Sequence, residues 1–111
     1  MKLTYEDYDQ LSVVAMRGEL TADECEAFRG AMTERIEHDI RDFVLNLAET
    51  DAVDSQGLEA LLWLQDQASE RLGQVRLAAA SPTLREVLRV TRLAGRFDSH
   101  DTIDAAIASL R

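Results

Sequence analysis

Phe43-Val44-Leu45-Asn46-Leu47, followed after a short connection by Val53-Asp54-Ser55-Gln56-Gly57-Leu58, is the stretch on which the fold turns. A near-continuous apolar run of five residues suits a central strand covered on both faces. The connection Ala48 to Val53 reads as a loop. From Leu58 onward the period becomes helical, with Leu58, Leu61, Leu62, Gln65, Ser69 and Leu72 on one side and Gly73 as the stop. A buried strand thus hands over to a helix through Asp54-Ser55-Gln56-Gly57, and a hydroxyl lies at the helix mouth.

The same alternation continues outward in both directions. Upstream, Leu11 to Met16 is short, apolar and β-branched, closes at Gly18, and reads as a strand preceded by an edge strand around Leu3 to Tyr5. A helix then spans about Thr21 to His38, with Cys25, Phe28, Met32 and Ile36 at helical spacing and Asp23, Glu24 and Glu26 in its first turn, where the dipole favours negative charge. Downstream, Val75 to Ala80 reads as a strand. Ser81 as N-cap and Pro82 at the first helical position open a helix carrying Leu84, Val87, Leu88 and Thr91 inward. A last helix runs from about Asp101 to Leu110 on Ile103, Ala106, Ile107 and Leu110. Strands alternating with helices predict an α/β fold with much of its sheet parallel.

Composition narrows the function. The 111 residues hold 21 acidic and 12 basic side chains, a formal charge of −9, which argues against nucleic-acid binding driven by counterion release. Residues 1–70 hold 17 acidic and 5 basic side chains and residues 71–111 hold 4 and 7, so the molecule is expected to be acidic at one end. One proline, five glycines and no repeat or linker predict one domain over residues 1–111. No apolar run approaches the ~20 residues that span a bilayer, and no basic-then-apolar leader precedes the first strand, so a soluble cytoplasmic protein without membrane insertion is expected. Cys25 has no partner for a disulfide, and His38 and His100 make no metal-ligand spacing, so neither metal nor cofactor is implied.

At the helix mouth a bland and a sharp reading compete. In the bland one, Ser55 or Asp54 is an N-cap worth about 1 kcal/mol and Gly57 allows close packing. In the sharp one, Ser55 is exposed at the carboxyl edge of the sheet and is modified there. A phosphoryl group would add about −1.5 to −2 charges beside Asp54. Two unit charges at ~5 Å repel by roughly 0.8 kcal/mol in water and about 3 kcal/mol at an effective dielectric of 20, enough to switch binding. Catalysis by Ser55 lacks a base: no histidine is near in sequence and the turn is not G-x-S-x-G. Nucleotide-binding glycine loops are absent, so an enzyme using Asp54 and Ser55 is the weakest of the alternatives.

Three blocks resemble the STAS domain of bacterial anti-sigma-factor antagonists. Gly18-Glu19-Leu20 is similar to the family's G-E-L-D turn, and Val44-Leu45-Asn46-Leu47 with Val53-Asp54-Ser55-Gln56-Gly57-Leu58 to its V-L-D-L…D-S-S-G-L block. Ser81-Pro82 with Val87-Leu88 and Leu93 is similar to its final segment. Thr21, Gln56 and Glu59 depart from the pattern, standing where the family has an aspartate, a serine and a small residue. The resemblance implies a small mixed sheet of four or five strands with about four helices, mostly on one face. It implies a non-enzymatic regulator whose unphosphorylated form binds an anti-sigma factor with serine kinase activity, is switched off by phosphorylation at Ser55, and is restored by a PP2C-type phosphatase. By position, Asp54 shapes the turn, Gly57 lets the partner's backbone approach, and Glu19, Leu20 and Thr21 form a neighbouring partner-facing loop. A STAS protein can alternatively serve without a phosphorylation cycle, as the accessory subunit of an ABC-type lipid transporter or of a signalling scaffold.

Other surface features complete the expectations. Trp63 falls with Glu59, Asp66 and Glu70 opposite the apolar stripe, an exposed interface anchor or a ring lying flat on a neighbouring helix. Arg85, Arg89, Arg92 and Arg96 space as a basic stripe, more simply a solvated face than a docking site. Cys25 is expected in the buried stripe, and the chain to be a monomer or weak homodimer.

Overall fold

The computed structural model describes residues 1–110. In chain order they form β1 (Lys2–Tyr8), β2 (Leu11–Leu20), α1 (Ala22–Glu37), β3 (Asp42–Asn46), β4 (Thr50–Val53), α2 (Ser55–Glu70), β5 (Val75–Ala78), α3 (Pro82–Val90), β6 (Asp98–His100) and α4 (Ile103–Ala108). The sheet order is β1-β2-β3-β5-β6, with β4 paired to β2 off this path. β1 and β2 are an antiparallel hairpin; every other pairing is parallel. The mixed α/β architecture with four helices is as expected, and six strands replace the expected four or five. β4 lies inside the segment read as a loop, and β6 had no pattern to announce it.

Alternation along β2 sorts its side chains. Ser12, Val14 and Met16 face the main core while Leu11, Val13 and Ala15 face the other side, half-buried. Phe43, Val44 and Leu45 of β3 are all fully buried, as a strand covered on both faces must be. The main core lies between the sheet and α1, α2 and α3, filled by Phe28, Met32, Leu61, Leu64, Leu77, Leu84 and Leu88. On the opposite face only α4 packs, setting Ala106 with Ile103 and Ile107 over Val44 and Ala78.

Several side chains sit otherwise than their periodicity predicts. The buried stripe of α2 is Gly57, Leu58, Ala60, Leu61, Leu64 and Ala68, whereas Ser69 is exposed and Leu72 is 89% exposed. Small residues at 57, 60 and 68 let the backbone approach the sheet, which turns the inward face away from that predicted from leucines alone. The rotation brings Trp63 into partial burial against the main core, so it is not the exposed anchor that its spacing with Glu59 suggested. At the helix end Leu72 takes the left-handed conformation (φ 63°). Gly73 is needed for another reason: a Cβ there would lie 2.0 Å from the Arg41 carbonyl oxygen. α3 stops at Val90, Thr91 is exposed, and the arginines disperse: Arg85 pairs with Asp101, Arg89 with Glu86 and Arg96 with Asp66.

Candidate functional site

The site begins at a glycine in β2. Gly18 adopts φ 103°, a conformation costly for any other residue, and the register shifts between Gly18 and Glu19. Beyond the shift β2 pairs with β4, matching Glu19 to Ala52 and Leu20 to Val53. Gly18-Glu19-Leu20 is therefore strand rather than turn or loop. Leu20 is fully buried, which corrects its expected place on a partner-facing loop: its side chain belongs to the core.

From the end of this pairing rise two helices. The Asp54 N–H donates to the Leu20 carbonyl (3.2 Å), fixing the chain as it leaves β4. Its carboxylate then serves both helices. Oδ1 accepts from the Gly57 N–H at 2.8 Å, the ordinary N-cap bond of α2, and Oδ2 accepts from the Ala22 N–H at 3.0 Å in the first turn of α1. Thr21, at the N-cap of α1, makes no side-chain cap bond. One negative group thus satisfies orphan donors of two positive helix ends and holds them side by side.

Gly57 locks the arrangement from the other side. A Cβ there would lie 2.2 Å from the Leu20 carbonyl oxygen and 2.8 Å from Val53 Cγ1. The close approach that Gly57 permits is to the chain's own β2, and the residue is buried; this corrects the expectation that it makes room for a partner's backbone.

Around this frame Ser55, the first residue of α2, is exposed, as are Gln56, Glu59 and Glu19, while Asp54 and Thr21 are half-buried. Trp63 lies two turns further along α2 and is set against the core. Cys25 Sγ donates to the Thr21 carbonyl (3.2 Å) just beneath. Burial pushes its thiol up; Arg29 opposes the shift, and Asp54 and Glu59 add to it.

The geometry limits the chemistry. Both Asp54 oxygens are engaged in helix caps, which hold the carboxylate against the ends of α1 and α2. His38 is at the far end of α1 and His100 on β6, so neither serves as a base for Ser55. Among the described residues no cluster of His, Cys, Asp and Glu could hold a metal ion, and no helix is long and apolar enough to cross a membrane. The Ser55 hydroxyl belongs to an exposed residue at the start of α2, and the acidic Glu19 and Glu59 are exposed as well. The double cap escaped sequence reasoning: an aspartate before a helix signals its own cap, but no local signal ties it to a helix 32 residues earlier.

A mixed sheet of this order, with α1, α2 and α3 on one face and α4 on the other, is the architecture of a STAS domain. The chain belongs to the STAS family: the family model described as "Mlab, STAS domain" matches residues 3–103. Among curated proteins it is similar to BtrV of Bordetella bronchiseptica, provisionally named an anti-sigma factor antagonist, with 24% identity over all of this chain and 96% of that protein. Solved structures give the same fold. A provisionally named anti-sigma factor antagonist from Thermotoga maritima superposes with a TM-score of 0.91 at 20% identity, covering 98% of this chain and 94% of that one. The Bacillus protein SpoIIAA, at 22% identity, superposes with TM-scores of 0.85 in its unphosphorylated form (99% and 93% covered) and 0.77 in its phosphorylated form (99% and 100%). A sulfate transporter family protein from Wolinella succinogenes also matches, with a TM-score of 0.78 at 21% identity over 93% and 86% of the two chains.

Proposed function

We propose that this chain, as one STAS domain, is a non-enzymatic cytoplasmic regulator that binds an anti-sigma factor with serine kinase activity while Ser55 is unmodified. Phosphorylation of Ser55 by that kinase releases the partner, and a PP2C-type phosphatase restores binding. The observation that carries this reading is the exposure of Ser55 at the first position of α2, on a platform whose frame is immobilised by Asp54, Gly57 and Leu20. Glu19, Thr21, Gln56 and Glu59 surround it as the docking surface; Asp54 and Gly57 contribute by holding it. SpoIIAA, whose fold this chain shares, has been solved in unphosphorylated and phosphorylated forms, which supports phosphorylation as a device available to this fold.

The test is incubation of the purified chain with the candidate kinase and ATP, followed by intact-mass measurement and mapping. One phosphoryl adduct at Ser55, with partner affinity kept by Ser55→Ala and lost by Ser55→Asp, is the expected result. No adduct with any candidate kinase overturns the phosphorylation cycle. The family model's description as Mlab and the match to a sulfate transporter family protein favour a second reading. In it the same surface is a constitutive contact of a transporter's accessory subunit, of the ABC lipid type, and Ser55→Ala and Ser55→Asp bind equally.

A further inference from the structure

Away from Ser55, the backbone most open to pairing belongs to β1. It ends the sheet and pairs with β2 alone, so one edge of Lys2–Tyr8 presents unpaired N–H and C=O groups. Natural edges are blunted by prolines, bulges or charged side chains; β1 has neither proline nor bulge, keeps an unbroken register with β2 through all seven residues, and carries charge at Lys2, Glu6 and Asp7. It also carries Tyr5 and Tyr8, 48% and 55% exposed, two of the four large apolar side chains left in solvent among the described residues. The strand is braced from beneath. The Arg35 guanidinium, itself buried, donates to Asp7 at 2.6 Å and lies 4.1 Å from the centroid of the Tyr5 ring.

We infer that β1 is the docking edge for β1 of a second copy of this chain, antiparallel about a two-fold axis through Thr4. Charge and shape complementarity select this occupant and this register. Opposed about Thr4, Lys2 faces Glu6 of the second copy and Leu3 faces its Tyr5, each twice by symmetry, and the two Thr4 side chains face each other. Among the described residues Lys2 makes no ion pair, so its charge is available. Other registers are poorer. Sliding toward greater overlap sets Leu3 against Asp7, and sliding the other way shortens the paired segment. Pairing closes the exposed edge of both copies, so association stops at the dimer along β1.

The experiment is sedimentation equilibrium over roughly 10 μM to 1 mM, the range that reads a weak reversible association. A reversible dimer is expected for the native chain and for Ser55→Ala alike, since the inference does not rest on the serine. Lys2→Glu and Glu6→Lys each place two like-charge pairs in the interface and weaken the dimer about tenfold; the double variant, which restores opposite charges, recovers it. Thr4→Cys, whose Cα atoms face each other within disulfide range, cross-links in the dimer under an added oxidant, whereas Glu6→Cys does not. The native Cys25 is buried and does not compete. Circular dichroism identifies any variant that fails to fold, and the others carry the test. A native chain that stays monomeric at 1 mM, a dimer indifferent to the charge reversals, a double variant that does not recover, or equal cross-linking at the two positions overturns the proposal.

Discussion

At the scale of single residues Asp54 carries more structure than its neighbours. Each of its oxygens caps a different helix, and a cap is worth about 1 kcal/mol. Asp54→Ala is therefore expected to cost about 2–3 kcal/mol, since both N–H groups are orphaned and the bonds are charge-assisted. Asp54→Asn keeps one acceptor but turns an amide donor toward the other N–H, so it loses about half as much. Urea midpoints for the two variants check the order; equal losses would show that one cap alone matters. Cys25, beneath the same junction, makes stability depend on pH. Its thiol is held above its ordinary value chiefly by burial, so the folded chain keeps a proton that the unfolded chain has lost. That contribution is present below the unfolded pKa, about 8.5, and is lost as pH rises past it. As pH rises past about 8.5, unfolding free energy should fall more steeply for the native chain than for Cys25→Ala. Parallel pH curves would show that the thiol titrates alike in both states.

At the scale of elements, glycines distinguish frame from surface. Gly57→Ala drives a methyl group into the Leu20 carbonyl, and neither the end of β2 nor the start of α2 can yield alone, so about 2–3 kcal/mol should be lost. Gly30 is the contrast: it lies in α1 with open space around it, and Gly30→Ala should gain about 0.5–1 kcal/mol. Thermal melting of both variants checks the sign. If Gly57→Ala melted with the native chain and only lost its partner, the residue would serve an interface after all. The elements legible in the sequence were those with local signals: β3 as an unbroken apolar run, α3 with Ser81 and Pro82 at its start, and α1 with its four-residue spacing. β4 was not legible, because Thr50-Asp51-Ala52-Val53 is a strand only by virtue of the bulge at Gly18, 32 residues away. Asp98-Ser99-His100 carries no apolar pattern and is ordered by the open edge of β5. The serine at the helix mouth could be located from sequence. That Leu20 and Gly57 are frame rather than surface could not, because burial there is set by the meeting of β2, β4 and α2.

At the scale of the whole molecule, chain order becomes charge order. The sheet keeps β1, β2 and β3 to one side of β5 and β6, so the strands of the acidic residues 1–70 lie apart from those of the slightly basic residues 71–111, with α2 reaching across to β5 and its Asp66 pairing with Arg96. Ser55 lies on the acidic side with Glu19, Asp54 and Glu59, and a partner that docks there is expected to present basic groups. This has a kinetic consequence for the proposed switch. Long-range attraction between an acidic face and a basic partner is not weakened by further negative charge, so Ser55→Asp should leave the association rate unchanged or slightly raise it. The loss must then come from the docked complex, where the new carboxylate is stripped of water at a contact shaped for a hydroxyl. Stopped-flow measurements at low salt should show the tenfold or greater loss of affinity entirely in faster dissociation. Added salt should slow association of the substituted chain by at least as large a factor as that of the native chain. A fall in the association rate on Ser55→Asp, relieved by salt, would instead mean that the partner's face is acidic and that simple repulsion before contact operates the switch.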